Sequence, residues 1–194
     1  MRRKIAVGAV VLALTLTIVA CSAPAAATAT QKPVQIPTST PAAASAPAAN
    51  PTTTPPSNPR PAGNIKEVWI DPKVSGNTVS IAENDVKNNW NNAFKIVNNG
   101  ATLNFMAYVM NGEIQVRANV CPPCRSIGYN LTPNDVLVCV TCGTSFKAVD
   151  GSGIQGACVK FPKAGIQYKV ENGNLVMSVN DLVNAYQKTV SGNG

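Results

Sequence analysis

The sequence predicts a mainly β protein: one small antiparallel β domain with a C-terminal helix, preceded by a signal segment and a disordered linker. Three observations carry this. Beyond residue 62, short apolar runs alternate with turn signals such as Asn-Gly and Asp-Gly-Ser-Gly, a strand-and-turn rhythm. Helical spacing is clear only near the C-terminus. Residues 1–62 show neither pattern.

Met1 to Ala20 has the three-part form of a secretory signal: basic Arg2, Arg3 and Lys4, an apolar run from Ile5 to Val19, then small Ala20 before Cys21. The run is short for a transmembrane helix and lacks a second flanking charge cluster. Ile18-Val19-Ala20-Cys21 resembles the bacterial lipobox, whose cysteine becomes the acylated first residue. The resemblance implies a lipid anchor on Cys21 and an extracytoplasmic, membrane-attached protein. A plain signal peptide or an uncleaved anchor are the alternatives. Residues 21–62 are almost entirely Ala, Pro, Thr and Ser, cannot bury enough apolar surface to order themselves, and are expected to form an extended tether.

The folded domain is expected over residues 63–194. Ile65, Val68, Trp69 and Ile70 suit a strand, and Val79-Ser-Ile81 a second. Val86, Trp90, Ala93, Phe94 and Val97 fall at helical spacing. Their asparagine neighbours are poor helix formers, which leaves Phe94 to Val97 open as a strand ending at Asn98-Asn99-Gly100. Leu103, Phe105, Ala107 and Val109 alternate, Asn111-Gly112 turns the chain, and Ile114, Val116 and Ala118 alternate again. This is a hairpin whose second strand leads into Cys121. Thr132-Pro-Asn-Asp135 is a turn, and Asp135 to Val140 a strand delivering Cys139. Phe146 to Val149 is another strand, closed by Asp150-Gly-Ser-Gly153. Ile166 to Val170 and Leu175 to Val179 form a hairpin around Asn172-Gly173. A helix from Asp181 to about Val190, with Asn180 as N-cap, carries Leu182, Val183 and Tyr186 on one face. Trp69 and Trp90 are expected in the core.

Composition narrows the chemistry. The formal charge is +7, with sixteen Lys and Arg against nine Asp and Glu. Arg2, Arg3, Lys4, Lys32 and Arg60 precede residue 63, which leaves the domain near neutrality, without the clustered basic face that nucleic acid needs. There is no histidine, which excludes Cys-His and Ser-His-Asp catalysis, Cys2His2 zinc and His-ligated haem. No other nucleophile–base pair is visible, so an enzyme with its own substrate pocket is not expected.

The cysteines carry the chemistry that is left. Cys121-Pro-Pro-Cys124 is followed after fourteen residues by Cys139-Val-Thr-Cys142, and after fifteen more by Cys158. Thiolates two residues apart can turn toward one ion, and two such pairs close a tetrahedral sulfur site. By spacing alone the alternatives stay open. They are two disulfides with a free thiol, a structural zinc ribbon, a thiol–disulfide active site at Cys121 and Cys124, and an iron–sulfur or other redox-active thiolate site. Nothing helical is expected after Cys124, as a thioredoxin-like motif would require. Cys158 reads equally as a buried apolar residue and as an extra ligand or disulfide partner. Arg117, Arg125 and Lys147 flank the cysteines, where they either screen thiolate charge or, more simply, lie solvated on the surface.

Val120-Cys-Pro-Pro-Cys124, Asp135-Val-Leu-Val-Cys139-Val-Thr-Cys142-Gly-Thr-Ser-Phe146 and Gly156-Ala-Cys158-Val-Lys-Phe-Pro162 resemble, in this order, the motifs of the FtrD-like membrane iron–sulfur protein family. The resemblance runs from about Ile65 to Val179. It implies a membrane-associated iron–sulfur or metal-binding protein, some relatives being linked to iron uptake as electron-handling components. Cys139-x-x-Cys142-Gly-Thr-Ser-Phe146 is also similar to the second metal loop of Rieske proteins, where a histidine stands at the place of Cys142, and this implies a Rieske-like β domain. Both Rieske histidines are missing, so an all-thiolate cluster here is expected at lower potential. Together these features imply an electron-transfer or redox-support protein with metal ligands Cys121, Cys124, Cys139 and Cys142, and Cys158 as a candidate fifth. The expected cofactor is an iron–sulfur cluster, [2Fe–2S] before a mononuclear metal, with zinc in a non-redox binding module as the alternative. Partners are expected to be the membrane, through the lipid anchor, and a membrane redox or transport protein. No nucleic acid is expected.

Overall fold

Asn111 and Gly112 both take left-handed backbone, at φ 52° and 81°, and Asn172 and Gly173 do the same at 50° and 74°. Two-residue turns of this hand match the right-handed twist of the strands they join. The computed structural model describes Pro56 and residues 58–194. The signal segment, Cys21 and most of the tether lie outside the described residues.

The elements in chain order are β1 Val68–Trp69, β2 Lys73–Ser75, β3 Thr78–Ala82, α1 Glu83–Asn89, β4 Asn91–Asn98, β5 Ala101–Met110, β6 Glu113–Ala118, β7 Tyr129–Leu131, β8 Val136–Cys139, β9 Ser145–Lys147, β10 Gly153–Gln155, β11 Lys169–Glu171, β12 Asn174–Ser178 and α2 Val179–Ser191. They form three four-stranded sheets, ordered β1-β4-β5-β6, β10-β9-β8-β7 and β11-β12-β3-β2. The protein is thus mainly β with a C-terminal helix. Its sheets are antiparallel except for the short parallel pairing of β1 with β4.

The central hairpin is built as its alternation dictates. β4 and β5 pair over eight positions from Asn91↔Tyr108 to Asn98↔Ala101. Phe94, Phe105, Met106, Ala107, Tyr108 and Val109 have no exposed surface. α2 packs against β5, β6 and β12 and closes the core, with Leu182 and Ala185 buried and the Tyr186 ring edge-on to Phe105 at 6.2 Å.

The stretch Val86–Val97 resolves into both of its readings, a short helix and then a strand. Asn91 and Asn92 decide the break. Both are fully buried. Asn91 donates to the carbonyls of Ile65 and Tyr129 at 3.0 and 2.9 Å, and Asn92 donates to those of Val86 and Ala107 at 3.3 Å. The Ile65 and Val86 carbonyls already accept from the Leu131 and Trp90 amides, so the asparagines add second bonds that tie the start of β4 to the segments around it.

Several expectations need correction. Trp69 is 48% exposed and is not a core residue, because two-residue β1 lies at the edge of its sheet. The cap of α2 is Ser178, whose hydroxyl accepts from the Asp181 amide at 3.0 Å, and not Asn180, which is already helical. The expected strand Phe146–Val149 is Ser145–Lys147, and Ala148 begins a turn. Strands β2, β7 and β10, each of three residues, carry no pattern long enough to read. Arg60, counted with the tether, belongs by its contacts to the fold. It pairs with Asp135 at 2.6 Å, donates to the Thr132 carbonyl at 2.8 Å and stands over the Trp90 ring at 5.9 Å.

The β7–β10 sheet joins the rest through a few fixed points. Ile65 and Leu131 exchange both backbone hydrogen bonds, at 2.8 and 2.9 Å. The Tyr108 hydroxyl donates to the Ala148 carbonyl at 2.5 Å. Arg117 is buried, contrary to its reading as a solvated surface charge. Its guanidinium donates to the Tyr108 hydroxyl and to the carbonyls of Val149, Asp150 and Lys163.

Candidate metal centre

Each C-x-x-C pair is folded into the same small loop. The Cys121 amide donates to the Ser126 carbonyl at 2.9 Å, and the Cys139 amide donates to the Thr144 carbonyl at 2.9 Å. In both loops the residue just after the second cysteine has left-handed backbone, Arg125 at φ 58° and Gly143 at 69°. This closure turns both sulfurs of a pair to one side. Gly143 directly follows Cys142. A Cβ on it would meet nothing within 4 Å, so what the position requires is the backbone conformation, which glycine adopts without penalty.

The two loops reach the site from different sheets. β6 ends at Ala118, and Asn119 and Val120 carry the chain to Cys121. β8 delivers Cys139, which lies opposite Tyr129 of β7. The loops meet so that the Sγ atoms of Cys121, Cys124, Cys139 and Cys142 all lie within 4.8 Å of one another, with Cys124 and Cys139 at 3.7 Å. The first cysteine of each loop is buried and the second is partly exposed. One pair therefore roots the site and the other faces its rim.

Cys158 comes to the same place. Its Sγ is 3.7 Å from that of Cys142. The Thr144 hydroxyl accepts from both the Cys142 thiol and the Cys158 amide at 3.2 Å. Gly156 makes this approach possible: a Cβ there would stand 2.6 Å from Thr144 Oγ1. The five domain cysteines are free thiols, so the structure contains neither of the disulfides considered from the sequence.

Burial and hydrogen bonding divide the thiols. Burial pushes Cys121 well above the ordinary thiol range, and bonds with Cys158 and Cys124 push it further. Burial likewise raises Cys139, against the opposing bond from Ser126. At Cys142 burial also acts upward, but it is outweighed by hydrogen bonds that the Thr144 hydroxyl and amide, Cys139 and Cys124 give to the ionised sulfur, the hydroxyl reversing its role once the thiol proton is lost, and these bring the thiol down to about 6. Metal binding must displace the protons of the buried pair, so it is linked to pH.

Residues that sequence spacing did not mark complete the site. Lys163 is fully buried, donates to the Val120 carbonyl at 2.8 Å, and lies over the rings of Phe146 and Tyr129 at 4.3 and 5.4 Å. Its burial lowers its pKa to about 8, while the charges of Cys121, Cys139, Cys158 and Cys124 act to raise it. The buried cation next to the cysteine loops is therefore Lys163, through Val120 and Tyr129, while Arg125 and Lys147 are exposed. The repeat Cys-x-x-Cys-x-Ser/Thr was visible in the sequence at Ser126 and Thr144. For Lys163 the only hint was a lysine among Phe161, Pro162 and Ala164.

The donor set fits a thiolate-bound metal. A tetrahedral ion with sulfur at about 2.3 Å places its ligands ~3.8 Å apart, close to the Cys124–Cys139 separation.

The family described as "Membrane iron-sulfur containing protein FtrD-like" matches residues 86–188. No curated protein matches the chain. Among solved structures, the chain is similar to one described as a complex of reduced oxygenase and oxidized ferredoxin in carbazole 1,9a-dioxygenase. The identity is 16%, covering 45% of this chain and 80% of that one, with a TM-score of 0.35. It is also similar to the Sphingomonas yanoikuyae B1 ferredoxin at 19% identity, covering 43% of this chain and 83% of that one, with a TM-score of 0.34.

Proposed function

Since this chain belongs to the FtrD-like family of membrane iron-sulfur containing proteins, we propose that it is a membrane-associated electron carrier whose iron centre is held by Cys121, Cys124, Cys139 and Cys142. The observation that carries this reading is the convergence of those four sulfurs within 4.8 Å from two like-folded loops. Iron on four thiolates supplies one-electron transfer at low potential. The chain's own residues do the rest. Buried Cys121 and Cys139 fix the centre to the fold. The partly exposed Cys124 and Cys142 give an electron a short path to a docked partner. Thr144 orients Cys142 and seats Cys158 beside it, outside the ligand set.

The wider role follows from the N-terminal motif. Cys21 is the acylated residue, and the domain works on the outer side of the cell membrane beside a membrane redox or transport protein, in a process such as iron handling. Among the described residues no helix is long and apolar enough to cross a membrane. A Cys21→Ser change is expected to shift the protein from the detergent-rich to the aqueous phase in a phase-partition assay. An unchanged partition would remove the lipid anchor from this reading.

A second reading is favoured by one observation, the tight spacing of the sulfurs, which suits a single ion. In it a zinc ion staples a non-redox binding module. Anaerobic purification of the full chain, followed by metal analysis, absorption and EPR, separates the two. Iron with a reducible band is expected, lost in Cys121→Ser and Cys139→Ser and kept in Cys158→Ser. Stoichiometric zinc with no reducible band would overturn electron transfer.

A further inference from the structure

Lys163 has no exposed surface, yet no carboxylate among the described residues pairs with it. The ion pairs there are Arg60–Asp135 and Lys87–Glu83. Its ammonium has one hydrogen bond, to the Val120 carbonyl, and two aromatic faces, those of Phe146 and Tyr129. Such an environment replaces only part of the hydration of a buried charge. The backbone of Lys163 is held rigidly. Its amide donates to Gly151 at 2.9 Å, its carbonyl accepts from Arg117 at 2.9 Å, and a Cβ on Gly151 would stand 2.2 Å from that carbonyl. The fold thus spends several close contacts on placing a cation that lacks an acidic partner. Its geometry ties it to both cysteine loops: Val120, whose carbonyl it holds, directly precedes Cys121, and Tyr129, whose ring it covers, is paired with Cys139 across β7 and β8.

From this placement we infer that Lys163 is the built-in counter-cation of the sulfur centre, a positioning residue that acts through the thiolate ligands and favours the metal-bound and the reduced states. The inference rests on the reading that the cysteine cluster holds a metal. Binding a metal ion releases the thiol protons to solvent and leaves thiolates. An electron from the external donor then adds one more negative charge to the site. In a dry interior, a nearby fixed cation stabilises each of these changes. In the metal-free protein no metal-bound thiolate faces the same cation, and its partners there are the Val120 carbonyl and the two rings.

That asymmetry gives a test which an ordinary structural lysine fails. The full chain is compared as Lys163→Met, Lys163→Gln and Lys163→Arg, with exposed Lys147→Met as control. Each is unfolded in urea both metal-loaded and metal-free, challenged with a chelator, and titrated for its midpoint potential. Lys163→Met is expected to leave the metal-free protein as stable as wild type or more so, and to destabilise the loaded one. It should yield its metal at roughly tenfold lower chelator concentration or less, the scale of outer-shell changes at metal sites, and its potential should become more negative. Lys163→Gln, which keeps a donor for the Val120 carbonyl but no charge, should follow Met. Lys163→Arg should hold near wild type. Equal destabilisation of both states, including failure of Met and Gln variants to fold in either, would overturn the inference. So would unchanged chelator resistance. If the bound metal proves to be zinc, the electron-transfer reading falls, while the stability comparison still judges Lys163.

Discussion

Arg125 and Gly143 stand at equivalent corners of the two cysteine loops and share left-handed backbone. This conformation costs a residue with a Cβ about 1–2 kcal/mol, while glycine's extra freedom when unfolded offsets ~0.5–1 kcal/mol. Substitutions should therefore act with opposite signs. Arg125→Gly is expected to stabilise the metal-free protein by roughly 0.5–1 kcal/mol, and Gly143→Ala to destabilise it by a similar amount. Urea unfolding measures both, and a destabilising Arg125→Gly would show that its side chain matters more than its φ. Arg117 belongs to another class of residue. Its buried guanidinium serves three carbonyls and the Tyr108 hydroxyl, so Arg117→Met should lower stability by on the order of 3 kcal/mol. At this scale the cysteines were legible because their spacing is itself the chemical requirement. Arg117 and Lys163 were not, because a charged side chain is read as solvated until distant segments close over it.

Elements were legible in proportion to how local their causes are. The β5–β6 and β11–β12 hairpins follow from their Asn-Gly turns and alternating faces. α2 follows from its apolar face, but its start was misplaced by two residues because Ser178 and Asn180 are both good caps. The Ser178 hydroxyl bonds the Asp181 amide and carboxylate. Ser178→Ala should thus cost about 1 kcal/mol, and Asn180→Ala only a few tenths, in thermal or urea unfolding. Equal effects would move the cap back to Asn180. The segment around Gly156 is an element without regular structure, set by contact instead. A Cβ there strikes backbone and side chain of Thr144, so Gly156→Ala is expected to push Cys158 from Cys142 and weaken metal retention. Far-ultraviolet circular dichroism should be almost unchanged, and retention equal to wild type would remove this segment from the site.

For the whole molecule, the mainly β class and the meeting of two cysteine pairs were readable, but not the way three small sheets share one core. That depends on polar links such as buried Asn91 and Asn92 and half-buried Glu67. Burial raises Glu67 from 4.5 to about 8, against the lowering bond from Asn119, which donates to it at 3.0 Å. The folded state thus holds this proton where the unfolded state has lost it. By linkage, stability falls as pH rises from about 4.5 through about 8 and then levels. Glu67→Gln should flatten that decline in urea midpoints taken across the same window, and an undiminished slope would assign it to another group. The exchange of hydrogen bonds between Ile65 and Leu131 has a mechanical consequence. Tension entering from the N-terminal side meets first the Arg60–Asp135 pair and then the Ile65–Leu131 clasp. Leu131 ends β7, and β7 is hydrogen-bonded along its length to the strand that carries Cys139. A pull on the chain ahead of Arg60 is therefore delivered as shear at the edge of the sheet that holds the second cysteine loop, ahead of the central hairpin.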